Sequence, residues 1–99
     1  MAYSLRLPRK FKQWKVKIRD RETVEPPHVT LLRKTQAWRI DLRTGKFMDA
    51  EPDPDDVPEG LVKVIKAEGN WQTLREQWDS MYPHNLIESE EETEEESNE

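Results

Sequence analysis

The sequence predicts an α+β domain, a three- to four-stranded antiparallel meander with two C-terminal helices packed on one of its faces. Two observations carry the prediction: alternating apolar and polar residues in the first half, and helical spacing of apolar residues in the second. The 99 residues fit one domain. The chain has no cysteine, which excludes disulfides, thiolate zinc sites and a thiol nucleophile.

Three short segments in the first half alternate as half-buried strands do. They cover residues 12–21, 28–32 and 37–42. Pro26 and Pro27 separate the first two segments, since a proline pair does not fit a central strand. Short segments close in sequence favour antiparallel pairing of neighbours. Phe47 and Met48 are predicted to begin a short fourth strand.

Helical signals follow a loop at residues 49–58 that is rich in proline and acidic residues. Asp56 is the predicted N-cap of the first helix, and Pro58 fits its first turn. Gly69 and Asn70 interrupt the pattern, and Asn70 is predicted to cap a second helix. That helix carries apolar residues at helical spacing, namely Trp71, Leu74, Trp78 and Met81.

Strand parity assigns each side chain to one face of the sheet. The face predicted to meet the helices holds Trp14, Val16, Ile18, Val29, Leu31, Trp38, Ile40 and Leu42. The opposite face is predicted to hold Lys15, Lys17, Arg19, His28, Thr30, Arg39, Asp41 and Arg43. Because the strand tryptophans lie on the core side, base stacking on the sheet is not predicted.

Charge is distributed unevenly along the chain. Residues 1–46 hold 13 Lys and Arg against 4 Asp and Glu. Residues 87–99 hold 8 glutamates and almost no apolar side chain, and we expect a disordered acidic tail there. The predicted organisation is a flexible basic N-terminus at 1–11, one domain at 12–86 and the tail at 87–99. The tail is either a solubilising segment or a polyanion that folds back on the basic face or recruits a basic partner.

The basic sheet face predicts binding of nucleic acid through backbone phosphates. The predicted contacts are Lys15, Lys17, Arg19, His28, Arg39 and Arg43. The alternative is an ordinary solvated face whose lysines discourage aggregation. His28 is a candidate general acid or base, metal ligand or phosphate contact, or simply a polar residue that closes a turn. No metal site or cofactor is predicted, because converging ligands and glycine-rich phosphate loops are both lacking in the sequence.

The run Glu25-Pro26-Pro27-His28-Val29, followed by Ile40-Asp41-Leu42, Thr44-Gly45 and a second helix with Trp78, resembles the family known as domain of unknown function 4160. The resemblance covers roughly residues 12–82. Members typically read P-P-H-[FV]-H-[VI], and here Thr30 replaces the second histidine. The resemblance implies an α+β fold, a bacterial cytoplasmic setting and a place in toxin–antitoxin-like gene pairs. It implies no established reaction.

Three functions remain open at this point. The first is a nucleic-acid-associated, toxin–antitoxin-like module that uses the cationic face and is not an enzyme. The second is a protein-interaction subunit that binds a protein partner or forms a homodimer to complete its small core. The third is a metal-independent ribonuclease in which His28 is the general base and Arg39 or Arg43 stabilises the developing charge. The chain lacks an apolar run of membrane-spanning length and is expected in the cytoplasm.

Overall fold

The computed structural model describes residues 2–19 and 25–87 of the chain. This part contains one antiparallel sheet whose strands lie side by side in chain order, β1 (Tyr3–Ser4), β2 (Lys15–Ile18), β3 (His28–Arg33) and β4 (Gln36–Asp41). Two helices follow, α1 (Glu59–Lys66) and α2 (Glu68–Met81). The predicted α+β class, with an antiparallel meander and two C-terminal helices, is confirmed.

The strand register confirms the predicted core face. Leu31 lies between Val16 and Trp38, so side chains of the same parity share one side of the sheet. All eight strand residues predicted to face inward are buried, together with Leu61, Ile65, Leu74 and Trp78 of the helices. Both sets belong to one hydrophobic cluster. Burial of these large side chains supplies the main driving force for folding.

The N-terminal residues belong to the domain, and the boundary predicted at residue 12 therefore moves towards the N-terminus. Tyr3 of β1 pairs with Ile18 of β2. Leu5 and Phe11 are buried in the core. The fourth member of the predicted three- to four-stranded sheet is thus β1, at the N-terminal end of the meander. The predicted strand at Phe47 is only an isolated bridge from Phe47 to Ile40.

Both predicted helix caps act elsewhere in the structure. Asp56 ends a 3₁₀ turn, Pro54–Asp56, whose N-cap is Asp53, and α1 begins only at Glu59. Asn70 lies within α2, and its side-chain amide donates to the carbonyl of Val64 at 2.8 Å. Asn70 therefore adds a second donor to a carbonyl in the last turn of α1, which also accepts from the N–H of Ala67 at 3.3 Å.

The C-terminal boundary also shifts, by one residue. Ile87 was assigned to the acidic tail, but it is fully buried. Its N–H donates to Oδ1 of Asp79 at 2.9 Å. The remainder of the predicted tail, residues 88–99, lies outside the described residues. In the described ranges, the helices are too short and too polar to cross a membrane.

Candidate functional site

The predicted cationic face is divided by the structure into two parts with different surroundings. One row of the sheet runs across all four strands through paired residues, Ser4, Lys17, Thr30 and Arg39. This row confirms that Lys17 and Arg39 share the face opposite the core. The two ends of the row differ, however, in whether their charges are already neutralised within the protein.

Arg39 is held by two carboxylates. Its Nε donates to Oδ2 of Asp49 at 2.8 Å and its Nη2 to Oδ1 at 2.7 Å, which is a bidentate pair. Its Nη1 donates to Oε1 of Glu25 at 2.8 Å. The hydrogen bonds from Arg39 hold the pKa of Asp49 below its ordinary value, and the same contact with Asp49 raises the pKa of Arg39. Arg39 therefore ties two loops to β4.

His28 lies beneath this cluster and is only 1% exposed. Its Nδ1 lies 2.8 Å from the carbonyl oxygen of Pro26, and because a carbonyl only accepts, Nδ1 is the donor of this hydrogen bond. Its ring centroid lies 5.6 Å from that of Trp78. Nε2 lies 3.7 Å from Oε1 of Glu25, too far for a hydrogen bond. The ring therefore packs between a turn and α2, where a substrate has little access to it.

Thr30, which stands where the resembled family has a second histidine, is also buried, at 3% exposure. It pairs with Arg39 on one side and Lys17 on the other. The parity that placed His28 and Thr30 on the outward face is correct, yet both side chains are covered. Parity identifies the face of a strand residue and does not identify what lies over it.

Arg43 binds the C-terminal end of the described chain. Its Nε donates to the carbonyl of Ile87 and its Nη2 to the carbonyl of Leu86, both at 3.0 Å. Arg19 has an exposed side chain, and its carbonyl accepts a hydrogen bond from the hydroxyl of Tyr82. Of the predicted phosphate contacts, Arg39 and Arg43 are thus engaged within the protein, while Arg19 keeps its side chain exposed.

The other part of the basic surface is an open groove of about 400 Å³ beside β2. Three lysines line it, together with polar and apolar neighbours, namely Lys12, Lys15, Lys17, Ser4, Leu7 and Trp14. We call this the lysine groove. Lys12 and Lys15 are exposed and Lys17 is half-buried. Within residues 2–19 and 25–87, no carboxylate lines the groove and the three ammonium groups form no ion pair.

Lys12 is not among the predicted contacts, because in a strand over residues 12–21 it would have the same parity as Trp14 and face the core. In the structure β2 starts only at Lys15, and Lys12 follows a 3₁₀ turn at Arg9–Phe11. The turn removes Lys12 from the strand alternation. The sequence does contain a sign of this turn, because the alternation of apolar and polar residues is absent from the basic cluster Arg9-Lys10-Phe11-Lys12.

The part of the chain that the structure describes contains no group of three or more His, Asp or Glu residues placed to hold a metal ion. No family model, curated protein or solved structure matches the chain. The predicted family resemblance therefore stays a prediction.

Proposed function

We propose that this protein binds a polyanion, namely the phosphate backbone of a nucleic acid, through the lysine groove. The observation that carries the proposal is the convergence of Lys12, Lys15 and Lys17 on one open groove with no carboxylate in its described lining. When cations that lack an internal partner bind phosphates, the counterions condensed on the nucleic acid are released, and this release favours binding. The proposal assumes the cytoplasmic setting expected from the sequence.

The proposed surface is narrower than the predicted face. Arg39 would have to give up its contacts to Asp49 and Glu25 before it could bind phosphate, and Arg43 would have to release two carbonyls. Such exchange costs the stability that these charge-assisted hydrogen bonds provide. Arg39, Arg43 and the buried His28 are therefore proposed to shape the surface and not to contact the ligand.

Charge reversal in the groove tests the proposal. The full chain with K15E and K17E is compared with the matched variant K34E/K63E, which reverses two exposed lysines elsewhere. Binding of a fluorescein-labelled single-stranded oligonucleotide is measured by anisotropy at low salt, after circular dichroism has shown that both variants are folded. We expect K15E/K17E to lose at least tenfold in affinity and the control to lose much less. Equal losses would mean that net charge, and not the groove, attracts the oligonucleotide.

A further inference from the structure

A second cavity lies on a different part of the molecule, where the turn after β4 meets the junction of α1 and α2. Its volume is about 280 Å³, and it is lined by Arg43, Thr44, Gly45, Lys66 and Trp71. The lining combines an aromatic ring, a hydroxyl and two cations, of which Arg43 is already hydrogen-bonded to two backbone carbonyls, and among the described residues it contains no carboxylate. It shares no residue with the lysine groove.

Trp71 differs from the other three tryptophans. Those three are at most 7% exposed, whereas Trp71 is half-buried and lines the cavity. The indole N–H groups of Trp38 and Trp78 donate to backbone carbonyls at 2.9 and 2.8 Å. Across the described ranges, the indole N–H of Trp71 has no such acceptor, and neither has that of the buried Trp14. An aromatic ring with an unused donor is therefore available at this cavity.

The ammonium group of Lys66 places a positive charge near this ring, at the turn that contains Gly45. A Cβ atom built on Gly45 would lie 3.5 Å from Nζ of Lys66 and 4.0 Å from Cζ2 of Trp71. The ammonium group thus lies over the turn beside the ring, and in the described part of the chain it has no carboxylate partner. Gly45 has φ +78°, a conformation that glycine adopts without strain, so glycine fits this position of the turn beside the ring.

We infer that this cavity binds one unstacked nucleotide, with the base on the ring of Trp71 and the phosphate at Lys66. Stacking on an aromatic ring is a general way to hold a base of any sequence. Neighbouring positive charge selects a nucleotide over a nucleoside or another neutral aromatic molecule. The volume of about 280 Å³ lies at the lower end of the range usual for small-molecule sites, about 300 to 1,000 Å³, so one small ligand and not a longer segment would occupy it. The choice of a nucleotide as the ligand rests on the proposed function. The lysine groove would bind the phosphate backbone of the nucleic acid, and this cavity would bind one of its bases.

The four indole N–H signals of the ¹⁵N-labelled full chain provide the test, and the variant W71F assigns the signal of Trp71. Adenosine monophosphate, adenosine and inorganic phosphate are titrated separately. We expect the Trp71 signal to move with the nucleotide, to move with adenosine only at higher concentration, and to stay in place with phosphate. An unmoved Trp71 signal with the nucleotide, or an equal shift with phosphate alone, overturns the inference.

The variant K66Q tests the cation without altering the core, because Lys66 is exposed. Loss of one charge-assisted contact is expected to weaken nucleotide binding about five- to tenfold. The matched variant K63Q, one turn earlier on α1 and also exposed, should bind as the unmodified chain does. Equal affinity of K66Q and K63Q for the nucleotide would overturn the role of Lys66.

Failure of this inference and failure of the proposed function give different results. K15E/K17E should retain the nucleotide-induced shift of Trp71 while losing oligonucleotide affinity. If oligonucleotide binding depends on Lys15 and Lys17 but Trp71 does not respond to the nucleotide, only this inference fails. If the Trp71 signal moves with the nucleotide but oligonucleotide affinity does not depend on Lys15 and Lys17, only the proposed role of the lysine groove is wrong. If the nucleotide belongs to a nucleic-acid strand in the natural ligand, an oligonucleotide should move the Trp71 signal at a lower concentration than adenosine monophosphate does.

Discussion

Replacing Arg39 by alanine should destabilise the fold while leaving polyanion binding nearly intact. Arg39 donates three charge-assisted hydrogen bonds, at 2.7 to 2.8 Å, to Asp49 and Glu25. A fully buried set of this kind would be worth several kcal/mol. The three side chains, however, are 31, 32 and 40% exposed, and water weakens their attraction. We therefore expect a loss of about 2 kcal/mol in the free energy of unfolding, or about 10 °C in Tm for a domain of this size.

Urea unfolding followed by tryptophan fluorescence measures this loss. R39K is the informative comparison, because lysine keeps the charge but cannot form the bidentate pair, and its stability should lie between those of R39A and the unmodified chain. K15A removes an exposed cation without a described partner and should leave the midpoint unchanged. If R39A is as stable as K15A, and binds an oligonucleotide more weakly, then Arg39 contacts the ligand and its structural role is refuted.

Three further outcomes are expected. His28→Ala should lower the free energy of unfolding by about 1–3 kcal/mol, since it empties a buried site and removes the donor to the carbonyl of Pro26. Its affinity for the oligonucleotide should stay constant. Loss of oligonucleotide binding in a variant of unchanged stability would contradict this expectation. A chain ending at Leu86 should unfold at lower urea than one ending at Ile87, because only the latter keeps the buried side chain; equal midpoints would show that the chain end contributes nothing. The lowered pKa of Asp49 gives stability that is present above about pH 4 and is lost as pH falls through the lowered value. Urea midpoints between pH 2 and 6 should thus fall less steeply in R39A, and an identical fall in both proteins would contradict the pairing.

Features set by local periodicity could be predicted from the sequence. Alternation over β2, β3 and β4 identified the core face, because the two-residue repeat of a strand fixes which side each residue takes. Spacing of Leu74 and Trp78 identified α2 in the same way. β1 was missed, because its two residues are too few to show a pattern.

Features set by contacts between distant residues could not be predicted. Arg39 looked like a free cation on a basic face, because its partners Asp49 and Glu25 come from loops 10 and 14 residues away. Asn70 lies beside the ends of both helices, and sequence alone does not show which end its amide serves. The cavity at Trp71 depends on the placement of a turn against two helices, which has no local signature.

The number of phosphates neutralised by the lysine groove tests the central claim most directly. Affinity for a single-stranded oligonucleotide is measured across a series of salt concentrations for the full chain and for K12Q/K15Q/K17Q. Each phosphate contact contributes about 0.7 to the slope of log affinity against log salt, so the variant should show a slope shallower by about 2. K34Q/K46Q/K63Q, which removes three exposed lysines outside the groove, should keep the slope of the unmodified chain. Unchanged slopes in both variants, or an equal reduction in both, would contradict binding through the lysine groove.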